Sequence, residues 1–239
     1  MLTTSTIQQL ANKYQSTELN IKREYLQHLF LSYFYTQPQT ENILFKGGTA
    51  LRIIYGSPRF SEDLDFSAKY GSVKMIEDCV VNTLKEIERE GLSIEISESK
   101  RTTGGYLAII QSRIYEQVIN LQTEISFRKK NISGQFATIV SDFIPSYSIM
   151  QLKKFQLVEE KIHACLERRK GRDFYDLYFL LRANMLSVEN KGQLVKIQDI
   201  IKSVSVDFTK ELKQFLPKSY WNVIKDFKGV LLQEIERYV

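Results

Sequence analysis

The chain has 239 residues, of which 43% are hydrophobic and 26% charged, and its formal net charge is +5 at pH 7. This composition is ordinary for a globular protein and supplies enough apolar side chains for a substantial core. No apolar run reaches the roughly 18 residues of a membrane span, and the N-terminus lacks the basic and then apolar layout of a signal peptide, so we expect a cytoplasmic protein.

The first third of the sequence alternates predicted helices with short predicted strands. The spacing of apolar residues predicts helices at 5–14 and 18–35, and Pro38 stops the second. A predicted strand at 42–45, a helix at 49–55 closed by Gly56, and a strand at 64–66 follow.

The middle of the chain is predicted to be rich in strands and the last third to be helical. Residues 73–90 form a predicted amphipathic helix, and alternation predicts strands at 92–98, 106–114, 120–127 and 136–140. After Pro145 the pattern predicts helices at 152–169, 173–182, 197–204 and 220–238. We therefore expect an α/β core with N-terminal helices over 1–150 and a helical domain over 151–239. The joint is expected near 145–152, with both halves packed around one site.

Cysteine and histidine offer little chemistry in this sequence. Cys79 and Cys165 lie in predicted helices, far from any second Cys or His with metal-ligand spacing, and are expected to be buried reduced thiols. His28 and His163 are the only histidines, which argues against a His-based zinc site or proton relay. Each is expected to have a packing role.

Two carboxylates stand two residues apart at the start of a predicted strand. In an extended segment, Asp63 and Asp65 project to one face and Leu64 and Phe66 to the other. Two adjacent carboxylates repel unless a cation lies between them, and Mg²⁺ prefers such hard oxygen ligands. A solvated strand end would explain the same pair without a metal.

The glycine pair upstream points to an anion. Gly47 and Gly48 follow a predicted strand and open the helix at Thr49, so bare backbone N–H groups and the positive end of the helix dipole face one spot. A strand-to-helix turn that simply needs glycine would show the same pattern. Next to an Asp pair, however, the combination suits a metal-bound triphosphate.

Two motifs resemble one known family. The run KGGTALR…RFSEDLDFS resembles the Gly-Gly and Asp-x-Asp signature of DNA polymerase β-like nucleotidyltransferases, in the form of the AbiEii/AbiGii abortive-infection toxins. The run EEKIHACLERRKGRDFYDLYFLL resembles that family's second motif, a helix with a Lys followed by an Arg-Asp-x-x-Asp helix. The resemblance covers roughly residues 40 to 182.

The resemblance implies an α+β fold and a metal-dependent reaction. The expected fold is a polymerase-β-like mixed sheet with flanking helices, followed by a C-terminal helical bundle region that completes the active site. The implied enzyme moves a nucleoside monophosphate from an NTP to an acceptor hydroxyl and releases pyrophosphate. Asp63 and Asp65 would hold two Mg²⁺ ions, for which Mn²⁺ could substitute. Glu124, on the polar face of its predicted strand, is the candidate third carboxylate for metal and catalysis, although solvent exposure alone would also place it there.

Further residues are assigned to the nucleotide by the same resemblance. Lys161 and Asp176 are expected to be catalytic, and Lys161 also to contact phosphate. Asp176 lies in an apolar run and needs a buried cation, which Lys161 or Arg172 could supply. Asp173 is equally well explained as a helix cap. The predicted nucleotide-binding set is Gly47, Gly48, Thr49, Arg59, Lys161 and Arg172, and Arg52 could also touch phosphate.

The positive charge lies in the C-terminal part of the sequence. Residues 1–150 hold 16 Lys+Arg against 16 Asp+Glu, whereas residues 151–239 hold 17 against 12. Arg168, Arg169, Lys170 and Arg172 form a basic cluster that suits an RNA backbone, although Lys and Arg at a helix C-terminus are also routine. The resemblance favours a tRNA end as acceptor and implies an antitoxin encoded nearby, with or without a stable complex. A protein acceptor, or a non-catalytic nucleotide- or nucleic-acid-binding module, stays open as an alternative.

Overall fold

A computed structural model of the chain describes residues 1–127 and 131–239, which fall into two compact units. The sheet unit comprises Met1–Gly56 and Phe60–Lys153. The helical unit comprises Ser57–Arg59 and Lys154–Val239. A three-residue segment between the glycine turn and the Asp pair therefore belongs to the helical unit.

The sheet unit is built on a mixed sheet in which seven strands are described. They are β1 Ile43–Lys46, β2 Leu64–Ala68, β3 Ser93–Thr102, β4 Gly105–Ile114, β5 Gln117–Ser126, β6 Gly134–Ile139 and β7 Tyr147–Leu152. Their order across the sheet is β3-β4-β5-β2-β1-β7-β6. The pairs β2/β5 and β1/β7 are parallel, and the other pairs are antiparallel. The short strands β1 and β2 thus lie at the centre of the sheet.

Four helices accompany this sheet among the described residues. They are α1 Thr4–Lys13, α2 Glu18–Phe34, α3 Gly47–Tyr55 and α4 Val73–Arg89. The helix α2 packs against β5, β7, α1 and α4, and it is buried around most of its circumference. The ring centres of Phe34 in α2 and Phe45 in β1 each lie 5.4 Å from the ring centre of Phe66 in β2. All three side chains are fully buried. The aromatic contacts join α2 to the two central strands.

Several polar side chains of α2 are also buried, and four of them contact residues outside the helix. Their contacts are Lys22 to Gln117, Glu24 to Arg52, Gln27 to the carbonyls of Ser61 and Glu62, and His28 to Tyr147. A buried polar group costs free energy unless it is hydrogen-bonded, so these pairs fix the position of α2 on the sheet.

The helical unit contains six α-helices in the part of the chain that is described. They are α5 Lys154–Glu167, α6 Gly171–Arg182, α7 Lys191–Ser203, α8 Phe208–Leu212, α9 Trp221–Lys225 and α10 Phe227–Glu236. The rings of Phe174, Tyr175, Phe208 and Phe227 form its aromatic core. No helix in the described residues is long and apolar enough to cross a membrane.

The α+β class, with a mixed sheet followed by helices, is confirmed, but three local features were not predicted. Residues 147–152, which lie within the segment where the joint is expected, form the strand β7, which pairs with β1. The predicted helix at 220–238 is interrupted at Asp226, which caps α10. The short α8 was not predicted. The two cysteines are buried free thiols, as expected, and burial raises the pKa of each.

His28 gives the fold a predictable pH dependence. Burial, with a smaller effect of the Arg52 charge, lowers its pKa from 6.5 to about 3. Below about pH 6.5 the unfolded chain takes up a proton on this residue that the folded chain refuses, so stability falls as the pH is lowered towards 3. We expect the free energy of unfolding to lose up to about 1.4 kcal/mol per pH unit in this window.

Urea unfolding between about pH 7 and about pH 5 measures this effect in the parent and in His28→Asn, in which the slope should flatten. The control is His163→Asn, because the His163 side chain is exposed and its Nδ1 lies 3.3 Å from the exposed carboxylate of Glu167. Equal slopes in the parent and in His28→Asn would contradict the assignment.

Candidate active site

The glycine turn and the Asp pair meet in the sheet unit. The strand β1 ends at Lys46 and α3 begins at Gly47, whose φ of +85° favours glycine. A Cβ on Gly47 would lie 2.2 Å from Oδ2 of Asp65 and 2.8 Å from its Cβ. The Asp65 carboxylate therefore lies directly against bare backbone at the start of a helix.

The burial of β2 follows the predicted alternation. Leu64 and Phe66 are fully buried, whereas Asp63 and Asp65 are half-buried. Asp65 pairs in register with Lys46 of β1 on one side and with Glu124 of β5 on the other. Residues paired across neighbouring strands share a face of the sheet. The Asp65 and Glu124 side chains are therefore on the same face.

Glu124 is the more exposed of these acids. Its neighbours Thr123 and Ile125 are fully buried, while Glu124 points away from the core. Within residues 1–127 and 131–239, no three His, Cys, Asp or Glu side chains are grouped closely enough to hold a metal ion. The protein's hard ligands at this place are thus the two Asp carboxylates, with Glu124 on the adjacent strand.

Side chains from two helices fix the backbone that carries Asp63. The Gln27 amide of α2 donates to the carbonyls of Ser61 and Glu62, at 2.9 and 3.1 Å. The Thr49 hydroxyl of α3 donates to the carbonyl of Asp63 at 2.5 Å. Three successive carbonyls are therefore held by side-chain donors. The sequence analysis did not identify Gln27, although a polar amide among the apolar residues of α2 could have indicated a role.

Arg52, a candidate phosphate contact, has a different environment. Its Nε lies 3.1 Å from Glu24, and its guanidinium lies over the Phe60 ring at 4.0 Å. Both side chains of the ion pair are about nine-tenths buried. The position of Arg52 is thus explained by α2 and the core, and its contact with phosphate stays a prediction.

In the helical unit, Asp176 is the centre of a buried ion cluster. Lys161 lies 2.7 Å from one carboxylate oxygen, and Arg59 donates from Nε and from a terminal nitrogen at 2.8 and 3.0 Å. Burial raises the pKa of Asp176, but the two cations outweigh it and hold that pKa below its ordinary value. Lys161 was correctly predicted as a partner, whereas the second cation is Arg59 and not Arg172.

The remaining residues of the second motif lie at the start of α6. The Asp173 carboxylate accepts from the Lys170 backbone N–H at 3.0 Å and from Arg168, so its predicted capping role is confirmed. Arg168 is partly engaged by this ion pair. Arg172 is half-buried, and within the described residues its Nε has no hydrogen-bond partner. The nucleotide-binding roles of Arg59, Lys161 and Arg172 stay predictions.

The buried cluster predicts a large loss of stability when its carboxylate is removed. Asp176→Asn removes the buried negative charge that both Arg59 and Lys161 contact, and we expect the free energy of unfolding to fall by about 3–5 kcal/mol. Asp199→Asn is the matched control, because Asp199 forms an exposed ion pair with Lys202. That change should cost less than about 1 kcal/mol. The midpoints of urea unfolding test this, and similar midpoints for the two variants would refute the role of the cluster.

Comparison with known proteins identifies the fold and the family. No curated protein matches the chain. Two structures from Helicobacter pylori align: JHP933 (20% identity, 93% of this chain and 95% of that one, TM-score 0.59) and a putative nucleotidyltransferase (19% identity, 93% and 99%, TM-score 0.59). MenT4, a nucleotidyltransferase toxin of Mycobacterium tuberculosis H37Rv, aligns over 100% of this chain and 93% of its own, with 17% identity and a TM-score of 0.65.

The fold of the chain is thus similar to that of these solved structures. The family described as "Nucleotidyl transferase AbiEii toxin, Type IV TA system" matches residues 29–220, which contain both motifs. The chain therefore belongs to the AbiEii family of nucleotidyltransferase toxins.

Proposed function

We propose that this toxin transfers a nucleoside monophosphate from an NTP to an RNA hydroxyl, with a tRNA end as the favoured acceptor, and that it requires Mg²⁺. The observation that carries this proposal is the contact of Gly47 with the Asp65 carboxylate. It brings an anion-binding turn and a cation-binding carboxylate together, and a metal–triphosphate complex needs both.

The donor chemistry of the site fits Mg²⁺ or Mn²⁺. Magnesium is usually bound by one or two carboxylates and by substrate phosphates, seldom by a complete cage of protein ligands. Asp63 and Asp65 supply the two carboxylates, and their half-buried position leaves a side open to substrate. When bound, the two ions would neutralise the phosphate charge and polarise the reacting oxygens.

The first turn of α3 provides the anion-binding part. The opening N–H groups of a helix have no partner within the helix, and its dipole favours negative charge there. Gly47 and Gly48 allow phosphate oxygens to approach the backbone closely. The Thr49 hydroxyl is bound to the Asp63 carbonyl, so we assign Thr49 to phosphate through its backbone N–H alone.

Glu124 is assigned to the acceptor. It lies beside Asp65 in register but is more exposed, so it can meet a hydroxyl that enters from solvent. A carboxylate in that position can take the proton of the attacking hydroxyl, with or without contact to a metal.

Lys161, Arg59 and Arg172 are proposed as the cationic side chains of the nucleotide site. Lys161 and Arg59 both contact the Asp176 carboxylate, so the cluster places two cationic side chains side by side. We assign Asp176, proposed from the motif as catalytic, to holding these two cations in position. The assignment of all four to the triphosphate rests on the family motif.

The biological setting follows from the family. We propose a cytoplasmic toxin paired with an antitoxin encoded nearby and acting in abortive phage infection. A protein acceptor and a non-catalytic binding module are the competing functions.

One labelling experiment separates these functions. The purified protein is incubated with Mg²⁺, each α-labelled NTP in turn, and total RNA or cell protein. We expect label on RNA, and Asp65→Asn should lower its rate about 100-fold or more. Asp78→Asn, on the exposed side of α4, is the charge-matched control. Label on protein alone would overturn the RNA acceptor, and no label with any NTP would overturn transfer altogether.

The close contact at Gly47 allows a sharper test. Gly47→Ala and Gly56→Ala introduce the same methyl group at similar φ values, +85° and +75°, but only the methyl group at position 47 meets a carboxylate. Both variants should lose about 1–2 kcal/mol of stability from backbone strain. Only Gly47→Ala should also lose labelling, by about 100-fold, because it displaces Asp65. Equal activity of the two variants would argue against this contact as the centre of the site.

A further inference from the structure

The helical unit carries a stretch of basic and aromatic residues that the nucleotide site does not use. Residues 212–225, LKQFLPKSYWNVIK, contain three Lys and no Asp or Glu. Lys213, Lys218 and Lys225 are exposed, and Trp221 is half-buried. We call these four residues the Trp221 patch. It lies at the end of the family match, which stops at residue 220.

The helical geometry gathers the lysines around the indole. A 3₁₀ turn, Lys218–Tyr220, continues into α9, which begins at Trp221. Lys218 lies three residues before Trp221 and Lys225 four residues after it, so both lie on its helical face. The Lys213 ammonium lies 4.5 Å from the centre of the indole ring. The ring is fixed by a hydrogen bond from Nε1 to the Leu216 carbonyl at 3.2 Å.

The acids on either side of the patch are bound to backbone amides. Glu211 accepts from the N–H of Gly171 at 2.8 Å, at the start of α6. Asp226 accepts from the N–H of Gly229 at 3.4 Å, at the start of α10. Within the described parts of the chain, no salt bridge reaches Lys213, Lys218 or Lys225. Among the described residues, the three lysines thus have no carboxylate at ion-pair distance.

We propose that the Trp221 patch binds single-stranded RNA, with a base stacked on the Trp221 indole and adjacent phosphates bound by the three lysines. This inference rests on the proposed function, in which RNA is the acceptor. Lysines alone would suit any polyanion, but a fixed and partly exposed indole among them adds the surface on which bases stack. The patch would hold the acceptor strand by its bases and backbone without reading a long sequence.

The chain's single tryptophan gives a direct measurement. Oligouridylate and tRNA are titrated into the Asp65→Asn protein without NTP, and Trp221 fluorescence is recorded. We expect saturable quenching, since a stacked base contacts the only indole. Polyglutamate is the probe for an acidic protein partner. Quenching by polyglutamate but not by RNA would overturn the proposal in favour of a protein interface.

The lysines are tested by the dependence of affinity on salt. For single strands, the slope of log K against log salt concentration is about −0.7 per phosphate neutralised. The triple variant K213Q/K218Q/K225Q should therefore flatten the slope by about 2. The control K191Q/K196Q/K202Q removes the same charge from exposed positions of α7 and should leave the slope unchanged. Equal slopes for the two triple variants would overturn the proposal.

The stacking contact is tested separately with dye-labelled oligouridylate, whose fluorescence anisotropy reports binding without tryptophan. Trp221→Leu should raise Kd about 5- to 150-fold. If this variant fails to fold, the lysine slopes decide the question. If the protein labels RNA but the patch variants bind oligouridylate with unaltered Kd, the Trp221 patch proposal is overturned and the proposed RNA acceptor is not. RNA binding at the patch without labelling of RNA would instead overturn the proposed acceptor.

Discussion

The candidate site depends on one steric constraint: Gly47 and the Asp65 carboxylate occupy adjoining space. A Cβ on Gly47 would approach Asp65 Oδ2 to 2.2 Å, so any other residue would displace either the turn or the acid. The first turn of α3 and the acidic edge of β2 can lie side by side only because that atom is missing. Glycine thus has two functions here, since it adopts the positive φ and leaves room for the carboxylate.

Two polar side chains, Gln27 of α2 and Thr49 of α3, fix the backbone that leads into the Asp pair. Gln27 of α2 binds the carbonyls of Ser61 and Glu62, and Thr49 binds the carbonyl of Asp63. These carbonyls belong to a segment without regular structure, in which no strand ladder fixes their direction. Two side chains do so instead, and a rigid backbone is what presents Asp63 and Asp65 in a fixed geometry.

The sequence predicted those parts of the site that depend on local periodicity. Alternation along a strand places the Asp65 side chain on the other face of the sheet from Leu64 and Phe66. In the same way it places Glu124 on the other face from its buried neighbours. It could not predict that β7 pairs with β1, because that pairing joins residues about 100 positions apart and has no local signature. For the same reason Arg59 was not recognised as the partner of Asp176, from which it is separated by 117 residues. A buried carboxylate needs a cationic partner, so the sequence predicted one for Asp176. Which residue supplies that cation is determined by the tertiary structure.

Charge counting alone was similarly limited in the C-terminal region. Its 17 basic and 12 acidic residues suggest only a mild surplus. Yet Glu211 and Asp226 face the first turns of α6 and α10, where the positive end of a helix dipole partly balances a carboxylate. Their carboxylates are therefore directed at backbone amides, and the lysines around Trp221 are exposed and form no salt bridge within the described residues. The surface of this unit that attracts a polyanion is therefore determined by the positions of the acidic side chains more than by their number.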